Sequence, residues 1–216
     1  MLFRSHVFQS CAQDSMTVAS ITLECLITLK KEIPEPEMAY YKQDNAGCYH
    51  SGNSIILAKL AGDAAGVAVV RNDFSDPQGG KGVCDRKAAI IKGDVGRYVN
   101  EGNDVINAFQ LKAAIESGQG TAGVKASCVA AKPSSTFNIK WDGISLLNNF
   151  EYEETGVRVW RTFNVGSGRV VPWAMFEGVM KQPEELEILE PPSQNASGAP
   201  TFKIVRHRHK IGRAHV

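Results

Sequence analysis

The 216-residue sequence predicts an α/β protein with parallel strands, and three observations lead there. Short β-type runs alternate with helix-type runs through the first hundred residues, in the order β-α-β-α-β-α. The helical runs carry apolar residues at spacings of three and four. The segments between them are rich in Pro, Gly, Asn and Asp, which end regular elements.

The elements follow in order. His6 to Gln9 make a short strand-like start. Asp14 then stands as the N-cap of a helix running to about Glu32, with Val18, Ala19, Thr22, Cys25, Leu26 and Leu29 as its apolar stripe. Pro34 and Pro36 stop that helix. Met38 to Gln43 form a strand that ends in the turn string Asp44-Asn45-Ala46-Gly47, and a helix follows from about Tyr49 to Leu60. The next strand spans Gly66 to Arg71, and a glycine-rich loop from Phe74 to Gly82 leads into a third helix, about Val83 to Asn100. Its face carries Cys84, Ala88, Ile91, Val95, Tyr98 and Val99. A short helix covers roughly Ile106 to Ser117. Beyond it the period changes to two, over Phe137–Trp141, Phe150–Glu153 and Val157–Arg161, so a small β-rich appendage is expected.

Composition narrows the function classes. There is no apolar run near the roughly 20 residues that cross a bilayer, so no membrane partner is expected. With 24 Lys+Arg against 23 Asp+Glu the chain is not a strongly basic coat-type nucleic-acid binder, although a local basic face stays open. Five scattered cysteines with no Cys-x-x-Cys indicate a reducing, intracellular setting rather than a disulfide framework.

The residues that point to chemistry are Asp44, at the carboxyl end of one strand, and Asp85, at the start of the helix after the next. In an open α/β sheet both positions lie at the edge where ligands bind. Carboxylates gathered there repel each other and are relieved by hard divalent cations such as magnesium or manganese. Two such ions about 4 Å apart activate a nucleophile and stabilise a leaving oxygen. Lys92 shares a helix face with Asp85, and Lys81, Arg86, Lys87 and Arg97 surround it, a face suited to phosphates. The plainer alternative is that Asp44 caps a turn, Asp85 caps a helix and the lysines are a solvated face.

Two long strings carry a resemblance: Tyr41-Lys42-Gln43-Asp44-Asn45-Ala46-Gly47-Cys48-Tyr49-His50, and Asp73-Phe74-Ser75-Asp76-Pro77-Gln78-Gly79-Gly80-Lys81-Gly82-Val83-Cys84-Asp85-Arg86-Lys87. With Arg97–Val105 and Gly143–Phe150, they make residues 5–176 resemble transposon-derived eukaryotic proteins with a DDE-transposase, ribonuclease-H-like core. The resemblance implies three acids holding two magnesium or manganese ions for phosphoryl transfer on DNA. The second and third acids carry over to Asp44 and Asp85, with Asp76 as the rival for the third. It also implies DNA as partner, a nuclear location and possible self-association, with no small-molecule substrate. The superfamily's first acid lies on a first strand for which this sequence has no counterpart; Asp14 belongs to a helix cap. The expected fold is therefore an incomplete ribonuclease-H-like three-layer domain over 1–118, lacking its first two strands. The β-rich appendage follows over 119–176. Without its first acid the chain is expected to be inactive on its own. An alternative is a domesticated, non-enzymatic protein that binds nucleic acid or a partner.

Other motifs carry less. Gly79-Gly80-Lys81-Gly82 is not a P-loop, because Ser75 and Gly82 stand where Gly and Ser/Thr are required. Cys48, His50 and Cys84 make a weak zinc set. Trp141, Trp160, Phe163 and Trp173, interleaved with Lys140, Arg158, Arg161 and Arg169, read either as a stacking surface or as the core of a small sheet. Residues 177–216 are expected to be a disordered acidic and Pro-rich tail. Residues 211–216 resemble a translated sequencing adapter, and residues 210–216 are expected to be artefactual.

Overall fold

A computed structural model describes residues 3–75, 82–118, 120–132, 138–178 and 181–193. Asp76, Lys81 and residues 194–216, on which several expectations fall, lie outside them. Among the described residues the chain is a mixed α/β protein with four α-helices and two sheets. No helix among them is long and apolar enough to cross a membrane.

Strand β1 (Phe3–Phe8) leads to α1 (Ser15–Glu32), β2 (Met38–Gln43), α2 (Gly52–Ala65), β3 (Ala68–Phe74) and α3 (Val83–Asn100). Asp14 caps α1 as expected: its Oδ1 accepts the Thr17 N–H at 2.8 Å. Lys30 and Lys31 complement the negative C-terminal end of that helix. The most buried stripe of α1 is Met16, Ala19, Leu23 and Leu26, turned from the expected one so that Cys25 and Leu29 sit on its half-buried flank. Helix α2 starts three residues later than the apolar pattern implies. Tyr49 and His50 donate their N–H groups to Ala46 O in a turn, and Ser51 is the cap, its Oγ accepting Ser54 N–H at 3.2 Å. Gly66 ends α2 in the left-handed conformation (φ 66°), so β3 begins only at Ala68.

The early strands do not share one layer. β2 and β3 pair in parallel, with α2 as the crossover, whereas β1 belongs to the other sheet. There it pairs in parallel with β4 (Val124–Ala130), which follows α4 (Ala108–Glu116). The second half of the chain extends the β2–β3 pair instead of standing beside it. β5 (Asn149–Tyr152) adds antiparallel to β3, followed by β6 (Gly156–Trp160) and β7 (Arg169–Pro172), in the order β2-β3-β5-β6-β7. Residues 138–141 are not a strand. Ile139 and Trp141 are buried, and the Ile139 N–H donates to the Asn53 side chain at 2.7 Å rather than to a neighbouring strand. Within the segment expected to be disordered, Glu187–Glu190 form β8, antiparallel to β4. Lys112 on α4 draws in Glu190, which gives this acidic run a place in the fold.

Two cores result. The larger joins Met16 and Ala19 of α1, Ile55, Ile56, Leu57 and Leu60 of α2, and Phe74, Phe150, Val157, Val159 and Val171 of the five-stranded sheet, closed by Trp141 and Phe176. The smaller holds Val7, Ala108, Ile115, Val124, Ala126 and Cys128, with Ile91 and Val95 of α3 against it. Gly156 shows how tight the first core is: a Cβ there would stand 2.2 Å from the Val171 carbonyl oxygen across the β6–β7 ladder. A backbone atom cannot swing aside, so Gly156→Ala should cost about 1–3 kcal/mol or more in a urea melt. A comparable melt for Gly93→Ala, where a Cβ meets open space, should show no loss.

Candidate functional site

The parallel pair β2–β3 sets the geometry. Gln43 is the register partner of Phe74, and Ser75 N–H donates to Gln43 O at 3.2 Å, so both strands end at one edge. Asp44 follows β2 there. It is exposed, and its Oδ1 accepts the Asn45 N–H at 2.7 Å. The chain leaves β3 at the same edge and, past the segment containing Asp76, enters α3. Asp85 lies in the first turn of α3, with Oδ2 accepting the Gly82 N–H at 2.8 Å. This carboxylate is the side-chain cap of α3, since Gly82 at the cap position has none to offer.

Asp85 therefore fills the plainer capping role, Asp44 holds only the N–H of the residue after it, and each keeps one carboxylate oxygen outside those bonds. Exposed carboxylate oxygens are the donors that magnesium or manganese takes, so the donor chemistry fits such an ion. Neither acid joins a group of three metal-type side chains among the described residues. Asp73, nearby in sequence, is committed to the fold: Arg71 Nε grips both its oxygens at 3.0 Å and Asn149 Nδ2 donates at 2.7 Å.

The basic face is thinner than the sequence implies. Lys87 Nζ donates to Ala122 O and lies 5.5 Å from the Phe3 ring, so it fastens α3 to the smaller core. Arg97 pairs with Asp94 at 2.5 Å. Arg86 and Lys92 are exposed and make no ion pair among the described residues. Cys84 is exposed on α3, and among the described residues it forms no metal group with Cys48 or His50. His50 is part of the core wall: it stacks on Phe74 at 4.4 Å and its Nε2–H donates to Leu147 O at 2.7 Å. Burial lowers its pKa, and the carbonyl bond offsets part of that. Trp141 and Trp160 are buried, and Arg158 is paired with Glu153, as in the core of a sheet with a charged outer face.

One cluster escapes the sequence. His6 on β1 meets Glu24 and Cys25 on α1, with His6 Nε2 donating to Glu24 Oε2 at 2.6 Å. Burial pushes the Glu24 carboxyl up, but hydrogen bonds from His6 and Thr28 outweigh it and hold it below the usual range. Burial, with the Glu24 charge beside it, pushes the Cys25 thiol up to about 11. A visible trace of the cluster is a Glu inside an otherwise apolar helix stretch, next to a Cys. A cleft of about 540 Å³ lined by Leu23, Ile27, Asp63, Ala64 and Lys132 lies near the C-terminal end of α2, whereas Asp44 precedes the start of that helix.

No protein-family model, no curated protein and no solved structure matches the chain.

Proposed function

We propose that this chain is a transposase-related, ribonuclease-H-type protein whose acidic sheet edge is the remnant of a metal-dependent phosphoryl-transfer site on DNA, and that it does not cut DNA on its own. The observation that carries the reading is the shared carboxyl edge of β2 and β3. Asp44 leaves one strand there, and the other strand runs on toward Asp85. Magnesium or manganese at such an edge supplies the charge that stabilises attacking and leaving oxygens. Asp44 and Asp85 would hold the ion, and Arg86 and Lys92 would meet the phosphates. Two of the three acids that the resemblance implies would hold an ion weakly, which is why the chain alone is inactive in this account.

The test is a nuclease assay with manganese on linear duplex DNA. The chain should leave the DNA intact. A version extended at its N-terminus by two strands and a strand-borne Asp should cut it, and Asp44→Ala and Asp85→Ala should each abolish that cleavage. Activity that survives Asp85→Ala but not Asp76→Ala would move the third acid to Asp76.

A second, non-enzymatic reading is favoured by the exposure of Arg86 and Lys92, which make no ion pair among the described residues, beside a carboxylate already used as a cap. In that case the chain binds DNA weakly with no dependence on manganese. Arg86→Gln with Lys92→Gln should then lower the affinity and flatten its salt dependence by about two counterion contacts.

A further inference from the structure

We propose that His6, Glu24 and Cys25 form a binding site for a zinc-class divalent cation, held by an imidazole nitrogen, a carboxylate oxygen and a thiolate sulfur. The three ligand atoms already lie within 4.8 Å of one another, and one pair, His6 Nε2 and Glu24 Oε2, is 2.6 Å apart. Around a tetrahedral ion with bonds of roughly 2.0–2.3 Å, ligand atoms stand roughly 3.3–3.8 Å from each other. That separation is about an ångström wider than the His6–Glu24 pair and inside the 4.8 Å that bounds all three atoms, so an ion is reached by rotamer-scale movement of side chains on fixed elements.

The chemistry of the donor set selects the ion. Thiolate and imidazole favour zinc and its neighbours over magnesium or calcium, which take oxygen. On binding, the cation takes the place of the proton that now bridges His6 Nε2 and Glu24; a neutral imidazole carries that proton on Nδ1 instead and an imidazolium releases it to solvent, and the Cys25 thiol releases its own proton to solvent. One carboxylate and one thiolate then balance the double positive charge, so the partly buried site carries no net charge. His6 and Glu24 side chains are 7% and 16% exposed, enough shelter for that balance to matter.

Features around the cluster support it. Thr28 Oγ1 donates to Glu24 Oε1 at 2.7 Å and leaves Oε2 facing His6, the outer-shell orientation that metal carboxylates commonly have. Among the described residues the Tyr41 hydroxyl on β2 is buried without a hydrogen-bond partner, and it lies near enough to Cys25 for an ionised thiol there to raise its pKa. It is the available partner for a water completing the coordination. Arg4 is the cation that opposes binding, and its guanidinium is drawn to Glu32 at 2.8 Å. The site joins β1 of the three-stranded sheet to α1, which packs on α2 over the larger core, so an ion there fastens the two sheets together.

Cobalt(II) is the probe. Titrated into the full chain under reducing conditions, it should give a near-ultraviolet thiolate-to-cobalt band that saturates at one equivalent and is displaced by zinc. Cys25→Ser should abolish the band, and Cys84→Ser should leave it intact. His6→Gln keeps a hydrogen-bond donor to Glu24 but lacks the imidazole, and should weaken cobalt binding at least tenfold. No thiolate band in the unmodified chain, a band that survives Cys25→Ser, or unchanged affinity in His6→Gln each overturns the proposal. Should Cys25→Ser fail to fold, alkylation of the unmodified chain decides instead. Zinc should protect Cys25 from iodoacetamide, and equal labelling with and without zinc is the contrary result.

Discussion

Replacing Phe150 by alanine should be among the most damaging single changes in the protein, costing about 3–5 kcal/mol and lowering the melting temperature by on the order of 10 °C. Phe150 sits on β5, fully buried, where the five-stranded sheet faces the helices. Its ring is edge-on to three others: His50 at 5.8 Å, Phe74 at 5.7 Å and Trp141 at 5.8 Å. Edge-to-face aromatic contacts add to the burial term, and alanine would remove both and leave a cavity bounded by rigid rings that cannot collapse into it. The same residue pairs with Asn72 across the β3–β5 ladder, so the cavity opens where the second half of the chain joins the first. Phe163 is the control. It is 39% exposed and meets the Arg71 guanidinium at 3.8 Å, and Phe163→Ala should cost under about 1 kcal/mol in the same urea series.

The second large effect is expected at Lys112. Its side chain is 2% exposed, and its ammonium is held by Glu116 at 2.7 Å and Glu190 at 2.8 Å. Lys112→Ala leaves two carboxylates without their cation and unties α4 from β8, for an expected loss of about 3–5 kcal/mol. Glu190 is 46% exposed, so Glu190→Gln, which spares the Glu116 bond, should cost about 1 kcal/mol or less. Pairing Lys112→Met with Glu116→Gln should recover much of the loss, because no buried charge is then left unpartnered. The pH dependence follows from the same contacts. Burial alone would raise the Glu116 carboxyl, but the bonds from Lys112 and Ser193 outweigh it and lower its pKa. Its contribution is present above the free-carboxyl value of about 4.3 and is lost as pH falls through its lower folded value. Burial alone would lower Lys112, but Glu116 and Glu190 outweigh it and raise its pKa. Its contribution is present below the free-lysine value of about 10.4 and is lost as pH rises through the higher folded value. The stability gap between the unmodified chain and Lys112→Met should therefore stay level between those limits and shrink outside them.

What the sequence makes legible is what neighbouring residues decide. β2 can be read to its ends because Pro36 and the Asp44–Gly47 turn bracket it, and α3 because a glycine-rich loop and Gly102 do the same. The start of α2 is misplaced because Tyr49 and His50 continue its apolar rhythm from inside a turn, while Ser51 holds the cap. The alternation at 137–141 mimics a strand because Ile139 and Trp141 both point into the core over the start of α2, a contact made by Asn53 from 86 residues away. β8 carries too few apolar residues to announce itself, and its anchor, Lys112, is 78 residues distant. The site divides the same way. Asp44 and Asp85 are visible because they stand at the ends of legible elements. His6, Glu24 and Cys25 meet only because β1 and α1 fold side by side, and the Glu beside a Cys in an apolar helix stretch does not say which residue it will meet.

The central claim is that Asp44 and Asp85 act together on one divalent cation, and manganese binding tests it most directly. Asp44→Asn and Asp85→Asn are suitable variants, since an amide oxygen still accepts the Asn45 and Gly82 N–H bonds while the charge is lost. Titrated with manganese(II) and followed by the loss of its free-ion paramagnetic resonance signal, the unmodified chain should show one weak site. Each variant should weaken it about tenfold or more, with no change in melting temperature beyond about 2 °C, since both hydrogen bonds are retained. Manganese binding that is unchanged in either variant would contradict the account.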